Sequence, residues 1–180
     1  MKITLKDGSA KEYANAMPVI DIAADISEGL ARIACAAEVD GKVVDLRMIV
    51  DKDCELNILT FNHEAGKAAS LHTTSHVLAE AVKHLYPEAK LAIGPSIDTG
   101  FYYDFDCPPF DRAALDALEA EMKKIIKQGA ELTRFTLSRE DAIKFMQERE
   151  DPYKVELIQD LPEDYEILFY RQGYFVYLCS

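Results

Sequence analysis

The first 61 residues alternate apolar and polar side chains in short runs that turn signals separate. Ile3 and Leu5 precede Asp7-Gly8, and the run 34–38 precedes Asp40-Gly41. An Asp-Gly pair between two alternating runs is a strong signal for a β-hairpin, because both residues tolerate the tight turn. This part of the chain is therefore restricted to a small sheet built largely from two hairpins.

One short amphipathic helix is predicted between the hairpins, at residues 18–26, with Gly29 as its stop signal. A last strand is predicted from Glu55 to Phe61. The order strand, strand, helix, strand, strand, strand predicts a β-grasp sheet laid over one helix. Residues 1–61 are accordingly expected to form the first domain.

The pattern changes at Asn62, where an α+β region is predicted to begin. Residues 64–85 are rich in Ala, Leu and Val and contain three histidines, which predicts a helix of about 20 residues that Pro87 ends. Asp111 is a good N-cap for the next helix. The remaining predictions are a strand at 101–105, a helix at 111–127, a strand at 131–137, helices at 138–148 and 154–161, and strands at 167–170 and 174–178.

The composition is that of a globular protein, because 49% of the 180 residues are apolar and 29% are charged. No run approaches the roughly 18 to 20 apolar residues that span a bilayer, and the chain starts with a strand and a turn. We therefore expect a cytoplasmic protein without membrane association. The four cysteines show no CxxC pairing and are expected to be thiols.

The net charge of -12 disfavours nonspecific binding to nucleic acid, which depends on clustered Lys and Arg. If RNA is the partner, a local site or another part of a larger protein must supply the attraction. Neither a GxxxxGK[ST] nor a GxGxxG phosphate loop is present.

Two histidines, His72 and His76, are the strongest candidates for a chemical site. A separation of four residues places both imidazoles on one face of the predicted helix. Such a pair suits zinc or a polar substrate, with Cys179 as the best third ligand; the alternative is a pair of half-exposed helix residues. His63 and His84 are expected to lie on the surface.

Three further residues carry weaker signals. Tyr102 and Tyr103 alternate along a predicted strand, so one is expected to face inward and the other outward. Lys154 stands at a helix start, where a positive charge gains nothing from the helix dipole, which favours a functional reason for it. A zinc protease is excluded, because no glutamate lies between His72 and His76, as an HExxH motif requires.

Three stretches together resemble one known family. Residues 72–106 read HTTSHVLAEAVKHLYPEAKLAIGPSIDTGFYYDFD, residues 1–13 read MKITLKDGSAKEY, and residues 152–164 read PYKVELIQDLPED. They resemble the N-terminal region of bacterial threonyl-tRNA synthetases, in which a TGS domain precedes an editing domain. The resemblance implies a TGS β-grasp domain at 1–61 and the N-terminal part of an editing domain, truncated, at 62–180.

What the resemblance implies is hydrolytic proofreading of threonine tRNA that carries serine by mistake. A pocket for threonine cannot strongly reject a residue one methyl group smaller, so a second site is needed. By the family's pattern His72 and His76 line that site, Tyr103 contacts the 3′ end of the tRNA or its ester, Lys154 places or activates water, and Cys179 completes the inner wall.

The resemblance also bears on cofactors and partners. Related editing domains hold zinc with two histidines, a cysteine and a further histidine, whereas catalysis without metal is the alternative, and both stay open. ATP and magnesium are expected only in a downstream aminoacylation core. Oligomerisation is expected through that same core.

Two departures from the family's pattern weaken the expected activity. The family continues after the cysteine with a glycine-proline-histidine run, but this chain ends at Ser180. Tyr177 also stands where the family usually has an aspartate, and a tyrosine is no base near neutral pH. We therefore expect a chain that folds but removes serine from tRNA poorly or not at all.

Two other functions remain as alternatives. A TGS domain also serves as a docking surface in binding or regulatory modules, but such a module does not need the histidine helix. A free-standing hydrolase of mischarged tRNA would need all four inner residues.

Overall fold

The computed structural model describes residues 1–179, which pack as two compact units. The first unit is Met1–His72 with Ser96–Asp98, and the second is Thr73–Pro95 with the chain from Thr99 onward. The division falls inside one continuous helix, directly after His72. The domain boundary at 61/62 stays a prediction.

The first unit is a five-stranded sheet with two short helices. The sheet has the order β2-β1-β7-β4-β5; β1 and β7 are parallel, and the other neighbouring strands are antiparallel. The elements are β1 (Lys2–Leu5), β2 (Ala10–Glu12), β3 (Met17–Pro18), α1 (Val19–Ile26), α2 (Glu28–Ile33), β4 (Ala34–Val39), β5 (Lys42–Val44), β6 (Ile49–Val50) and β7 (Cys54–Thr60). This architecture confirms the predicted β-grasp fold.

Helix α1 covers the sheet with the apolar face that its periodicity predicts. Val19 and Ile22 are fully buried and share one core with Ile3 of β1. The predicted stop at Gly29 is wrong, because that residue lies inside α2. Ser27 ends α1 with an extended backbone, and its hydroxyl caps the next helix, so the chain begins a second helix there.

The second unit contains most of the predicted helices and a three-stranded antiparallel sheet, β12-β13-β14. The remaining elements of the chain are α3 (Glu64–Leu85), β8 (Lys90–Leu91), β9 (Ser96–Ile97), β10 (Gly100–Phe101), β11 (Phe105–Asp106), α4 (Arg112–Gln128), β12 (Leu132–Leu137), α5 (Arg139–Glu148), α6 (Pro152–Asp160), β13 (Ile167–Gln172) and β14 (Phe175–Cys179).

The predicted strand at 101–105 is wrong as a continuous element. Only its ends are extended, in β10 and β11, and residues 102–104 lie between them without ladder pairing. The Tyr102 amide faces the carbonyl of Pro95 at 3.4 Å. Because proline has no N–H to return a hydrogen bond, a regular ladder cannot continue through this point.

Two apolar cores stabilise the second unit. Val77 and Val82 of α3 pack with Leu118 and Ile125 of α4, and the sheet buries Phe169 against α5 and α6. Within residues 1–179 no helix is long and apolar enough to cross a bilayer. Within residues 1–179 none of the four cysteines forms a disulfide.

Asp111 is expected to stabilise α4 through its side-chain cap. Its carboxylate accepts a hydrogen bond of 2.8 Å from the Ala114 amide at the start of the helix. Asp111→Ala should lower the free energy of unfolding by about 0.5 to 2 kcal/mol, measured by urea denaturation. Asp116→Ala, which removes only an exposed ion pair with Arg112, is the control and should change it by less than about 0.5 kcal/mol. Equal losses in the two variants would contradict the cap.

Candidate functional site

Helix α3 presents three polar side chains at intervals of four residues. His72, His76 and Glu80 follow one another along one face, because four residues make slightly more than one helical turn. His76 is half-buried, and Glu80 is only 7% exposed. Burial of these groups indicates that this face of α3 is covered by another element.

The covering element is β14, whose side chains alternate between two faces of the sheet. Val176 and Leu178 pack into the apolar core beneath α5 and α6. Tyr177 and Cys179 therefore point to the opposite face. There the Cys179 sulfur lies 3.3 Å from His76 Nε2, and the Tyr177 ring lies 4.3 Å from the His76 ring.

The donor set fits a metal such as zinc. His72, His76 and Cys179 each offer one ligand atom, and these atoms all lie within 4.8 Å of one another. With Zn–S and Zn–N bonds of about 2.3 and 2.1 Å, neighbouring ligands of a tetrahedral zinc lie about 3.6 Å apart. The separation of Cys179 and His76 is close to that value.

Burial controls the chemistry of the Cys179 thiol. Loss of hydration raises its pKa to about 12, and the nearby Lys154 ammonium only partly opposes this. Near neutral pH the sulfur therefore carries its proton and contacts His76 as a neutral thiol. A bound metal ion would reverse this preference, because thiolate is the form that binds zinc.

Lys154 and its hydrogen-bond partners line a second side of the site. Lys154 is 7% exposed, and its ammonium donates hydrogen bonds to the Ala92 carbonyl at 2.7 Å and to the Tyr103 hydroxyl at 3.3 Å. Burial lowers the pKa of Lys154, while Asp151 and Cys179 act in the opposite direction. A buried lysine with few charged partners is costly, which favours the functional reason predicted for it.

Tyr103 lies inward and Tyr102 outward, so one tyrosine faces each way as expected, although residues 102–104 do not form the predicted strand. Tyr102 is 43% exposed, whereas burial raises the pKa of Tyr103 above its ordinary value. The Tyr103 ring stacks on Phe105 with centroids 4.8 Å apart. The ring also packs against Gly94, where an added Cβ would lie 2.0 Å from it.

The loop that carries Gly94 is attached to the histidine helix. Ser75 is fully buried, and its hydroxyl donates a hydrogen bond of 2.8 Å to the Gly94 carbonyl. Because Ser75 directly precedes His76, one turn of α3 fixes both the imidazole and the backbone against which Tyr103 packs. Helix α3 therefore holds both sides of the site, the imidazole side directly and the Tyr103 side through Gly94.

Tyr177 occupies the position where the resemblance leads us to expect an aspartate. Its ring is buried, and its hydroxyl donates a hydrogen bond of 2.7 Å to Glu80. Burial and this carboxylate raise the pKa of Tyr177 well above its usual range. A carboxylate is therefore close to this position, but it belongs to Glu80 of the helix and is bound by the Tyr177 hydroxyl.

The chain is similar to known proteins over its whole length. Residues 1–60 match the TGS domain family. The threonine–tRNA ligase of Acetivibrio thermocellus is 60% identical over 181 residues, and that of Clostridium kluyveri is 55% identical over the same length; each match covers 100% of this chain. The chain is homologous to the N-terminal region of bacterial threonine–tRNA ligases. It spans 28% of the length of these curated relatives and of the Clostridioides difficile enzyme, which is 54% identical over 183 residues and 99% of the chain.

The structure brings the five candidate residues into two contacting groups. His72 and His76 lie with Cys179, and Tyr103 lies with Lys154. The Lys154 charge also acts on the first group, because it partly opposes the rise that burial causes in the pKa of the Cys179 thiol. The catalytic roles of all five stay predictions.

The remaining histidines lie on the surface, as expected. His63 accepts a hydrogen bond of 3.0 Å from the Thr60 amide at the start of α3. The imidazole of His84 lies 3.1 Å from a Glu121 carboxylate oxygen.

Three residues of the site were missed by the sequence argument. Glu80 could have been found, because it continues the four-residue spacing of the two histidines. Ser75 and Gly94 could not, since their roles depend on a loop that returns to α3 from a different part of the chain.

Gly94→Ala is expected to displace the Tyr103 ring. The new methyl group would overlap an aromatic ring that Phe105 and Lys154 hold from other sides, so we expect a loss of about 1 to 3 kcal/mol in the free energy of unfolding. NMR shifts of the Tyr103 ring should change as well. Gly100→Ala is the control, because an added Cβ there meets no atom within 4 Å. A Gly94→Ala variant with unchanged stability and unchanged Tyr103 shifts would contradict this contact.

Proposed function

We propose that this chain provides a hydrolytic proofreading site for a threonine–tRNA ligase, at which serine is removed from threonine tRNA. The observation that carries the proposal is the contact of His76 with Cys179 beside the buried Lys154–Tyr103 pair. The relatives are named threonine–tRNA ligases. An enzyme that selects threonine needs a second sieve against serine, because one methyl group contributes only about 1 to 3 kcal/mol of discrimination.

The reaction is hydrolysis of an ester. Water forms a bond to the carbonyl carbon of the seryl group, the bond from that carbon to the ribose oxygen breaks, and the ribose oxygen takes a proton. We assign Lys154 to the attacking water, because burial lowers its pKa and so increases the fraction of neutral amine that can accept a proton. Tyr103 and the imidazoles of His72 and His76 would orient the ester and the 3′ end of the tRNA.

Tyr177 is expected to make this hydrolysis slow. Its hydroxyl proton is directed to Glu80, and its raised pKa prevents it from acting as a base near neutral pH. An aspartate on β14 would instead offer an acceptor for water or for a ribose hydroxyl. We therefore propose that the chain hydrolyses seryl-tRNA more slowly than a site with that carboxylate.

Serine release from threonine tRNA tests the proposal directly. In single-turnover assays with protein in excess, His76→Ala and Lys154→Met should each slow release at least about 10-fold, because each removes a polar group from the reacting centre. Threonine on the same tRNA should be released more slowly than serine.

His84→Ala is the matched control for this assay, since it removes a histidine from the surface of the same helix. It should leave serine release unchanged. If wild-type protein releases serine no faster than His76→Ala, the chain acts as a binding or regulatory module, and the proofreading proposal is wrong.

Restoring the carboxylate is the second test. Tyr177→Asp alone would place a second buried carboxylate beside Glu80, so it should be combined with Glu80→Gln to avoid repulsion. We expect the double variant to release serine faster than Glu80→Gln alone. A rate equal to or below that of the single variant, in a protein with unchanged circular dichroism, would show that Tyr177 does not limit hydrolysis.

We further propose that His72, His76 and Cys179 hold zinc when it is available. Bound zinc would supply Lewis-acid polarisation of the ester carbonyl. Cobalt(II) should therefore produce sulfur-to-metal charge-transfer absorption that Cys179→Ala abolishes and Cys35→Ala retains. Absence of this band in the wild-type protein, together with serine release that is insensitive to chelators, would favour the metal-free alternative.

A further inference from the structure

The hairpin between β13 and β14 holds an aromatic side chain in solvent. Gln172 pairs with Phe175, so Gly173 and Tyr174 form a two-residue loop. Gly173 has a φ of 58°, a backbone conformation that glycine adopts without strain and that such hairpin loops require. Tyr174 is fully exposed, and a ring at this tip makes no contribution to either core.

Two arginines lie on an aromatic cluster next to this tip. The Arg149 guanidinium lies 5.1 Å from the centre of the Phe145 ring, and that of Arg171 lies 5.1 Å from the centre of the Phe135 ring. The two phenyl rings contact each other with centroids 6.2 Å apart. Arg149 also donates a hydrogen bond of 2.9 Å to the Tyr174 carbonyl, which ties it to the hairpin.

These arginines are held differently from the ion-paired cations of the chain. Arg112, Lys123 and Lys124 form ion pairs with carboxylates along α4. Within residues 1–179 neither Arg149 nor Arg171 forms an ion pair with a carboxylate. A guanidinium stacked on a ring keeps most of the N–H groups at its edge available to an anion.

The charges of the two arginines act on each other. Burial lowers the pKa of Arg149, and Arg171 lowers it further, while Asp151 partly opposes both effects. The repulsion between the two guanidinium groups is a cost that an incoming anion would relieve.

We propose that Arg149, Arg171 and Tyr174 form an RNA-binding site, in which the arginines bind a phosphate and the Tyr174 ring stacks on a neighbouring unpaired base. The proposal rests on the proposed function in that the RNA would be threonine tRNA. The two arginines would also supply the local positive charge that RNA binding requires in a chain with a net charge of -12. An acidic protein segment would use the arginines but has less need of an exposed aromatic ring.

Binding of a fluorescently labelled threonine tRNA transcript tests this site. Anisotropy titrations should be made at several salt concentrations with the full chain. Arg149→Ala combined with Arg171→Ala should weaken binding at least about 10-fold and should reduce the slope of log affinity against log salt by about one for each phosphate that the variant no longer neutralises. Tyr174→Ala should weaken binding about 5-fold or more without changing the salt slope, because stacking involves no charge.

Arg112→Ala is the matched control, as it removes an exposed arginine that pairs with Asp116 on α4. It should leave the affinity nearly unchanged. Tyr174→Ala is expected to fold normally, since a fully exposed side chain can be removed without loss of packing. It therefore keeps the test valid if the double arginine variant misfolds.

Four outcomes would overturn the RNA site. They are no binding of the transcript by the wild-type chain, equal losses in Arg112→Ala and the double variant, no loss in Tyr174→Ala, or displacement of the transcript by polyglutamate at equal charge concentration. The last outcome would point to an acidic protein partner instead. Serine release is a separate measurement, so RNA binding without hydrolysis would reject the proofreading proposal and leave this site standing.

Discussion

The contact between the His76 imidazole and the Cys179 thiol is the interaction on which the candidate site depends. It joins residues 103 positions apart in the sequence at a distance of 3.3 Å. A rigid helix fixes the direction of the imidazole, and the strict alternation of a strand fixes that of the thiol. Tyr177 reinforces the contact, because its ring packs on His76 while its hydroxyl is bound to Glu80 of the same helix.

On the other side of the site, burial of the Lys154 ammonium costs free energy that neighbouring groups must offset. The Lys154 ammonium is separated from bulk water, and its partners are a backbone carbonyl and a phenol rather than a close carboxylate. Removing an ammonium from water costs several kcal/mol unless other groups replace its hydration. The loop that provides the Ala92 carbonyl is in turn attached to α3 through Ser75 and Gly94. One helix therefore organises both the imidazoles and the environment of the lysine.

Local patterns predicted the elements of this chain far better than they predicted contacts between them. The bounds of α3, the cap at Asp111 and the hairpin strands follow from periodicity, capping and turn chemistry, which act within a few residues. The break between β10 and β11 depends on Pro95, which is close in sequence but acts as a pairing partner. Its effect becomes visible only when both segments are placed in space.

The same limit applies to the site. The four-residue spacing of His72 and His76 singled out the histidines, and Cys179 was predicted as a third ligand; the structure brings the three ligand atoms within 4.8 Å of one another. The partnership of Tyr177 with Glu80 could not be predicted, since it depends on which residue of α3 lies opposite β14. Arg149 and Arg171 are likewise separated in sequence and meet only through the packing of Phe135 on Phe145.

A double-mutant cycle between His76 and Cys179 tests the central contact without relying on catalysis or metal. Free energies of unfolding should be measured in the presence of a chelator for His76→Ala, Cys179→Ala and the double variant, with His84 and Cys179 as the control pair. We predict a coupling energy above about 0.5 kcal/mol for His76 with Cys179 and additivity for the control pair. Additive effects in both cycles would show that the imidazole and the thiol do not form a common site.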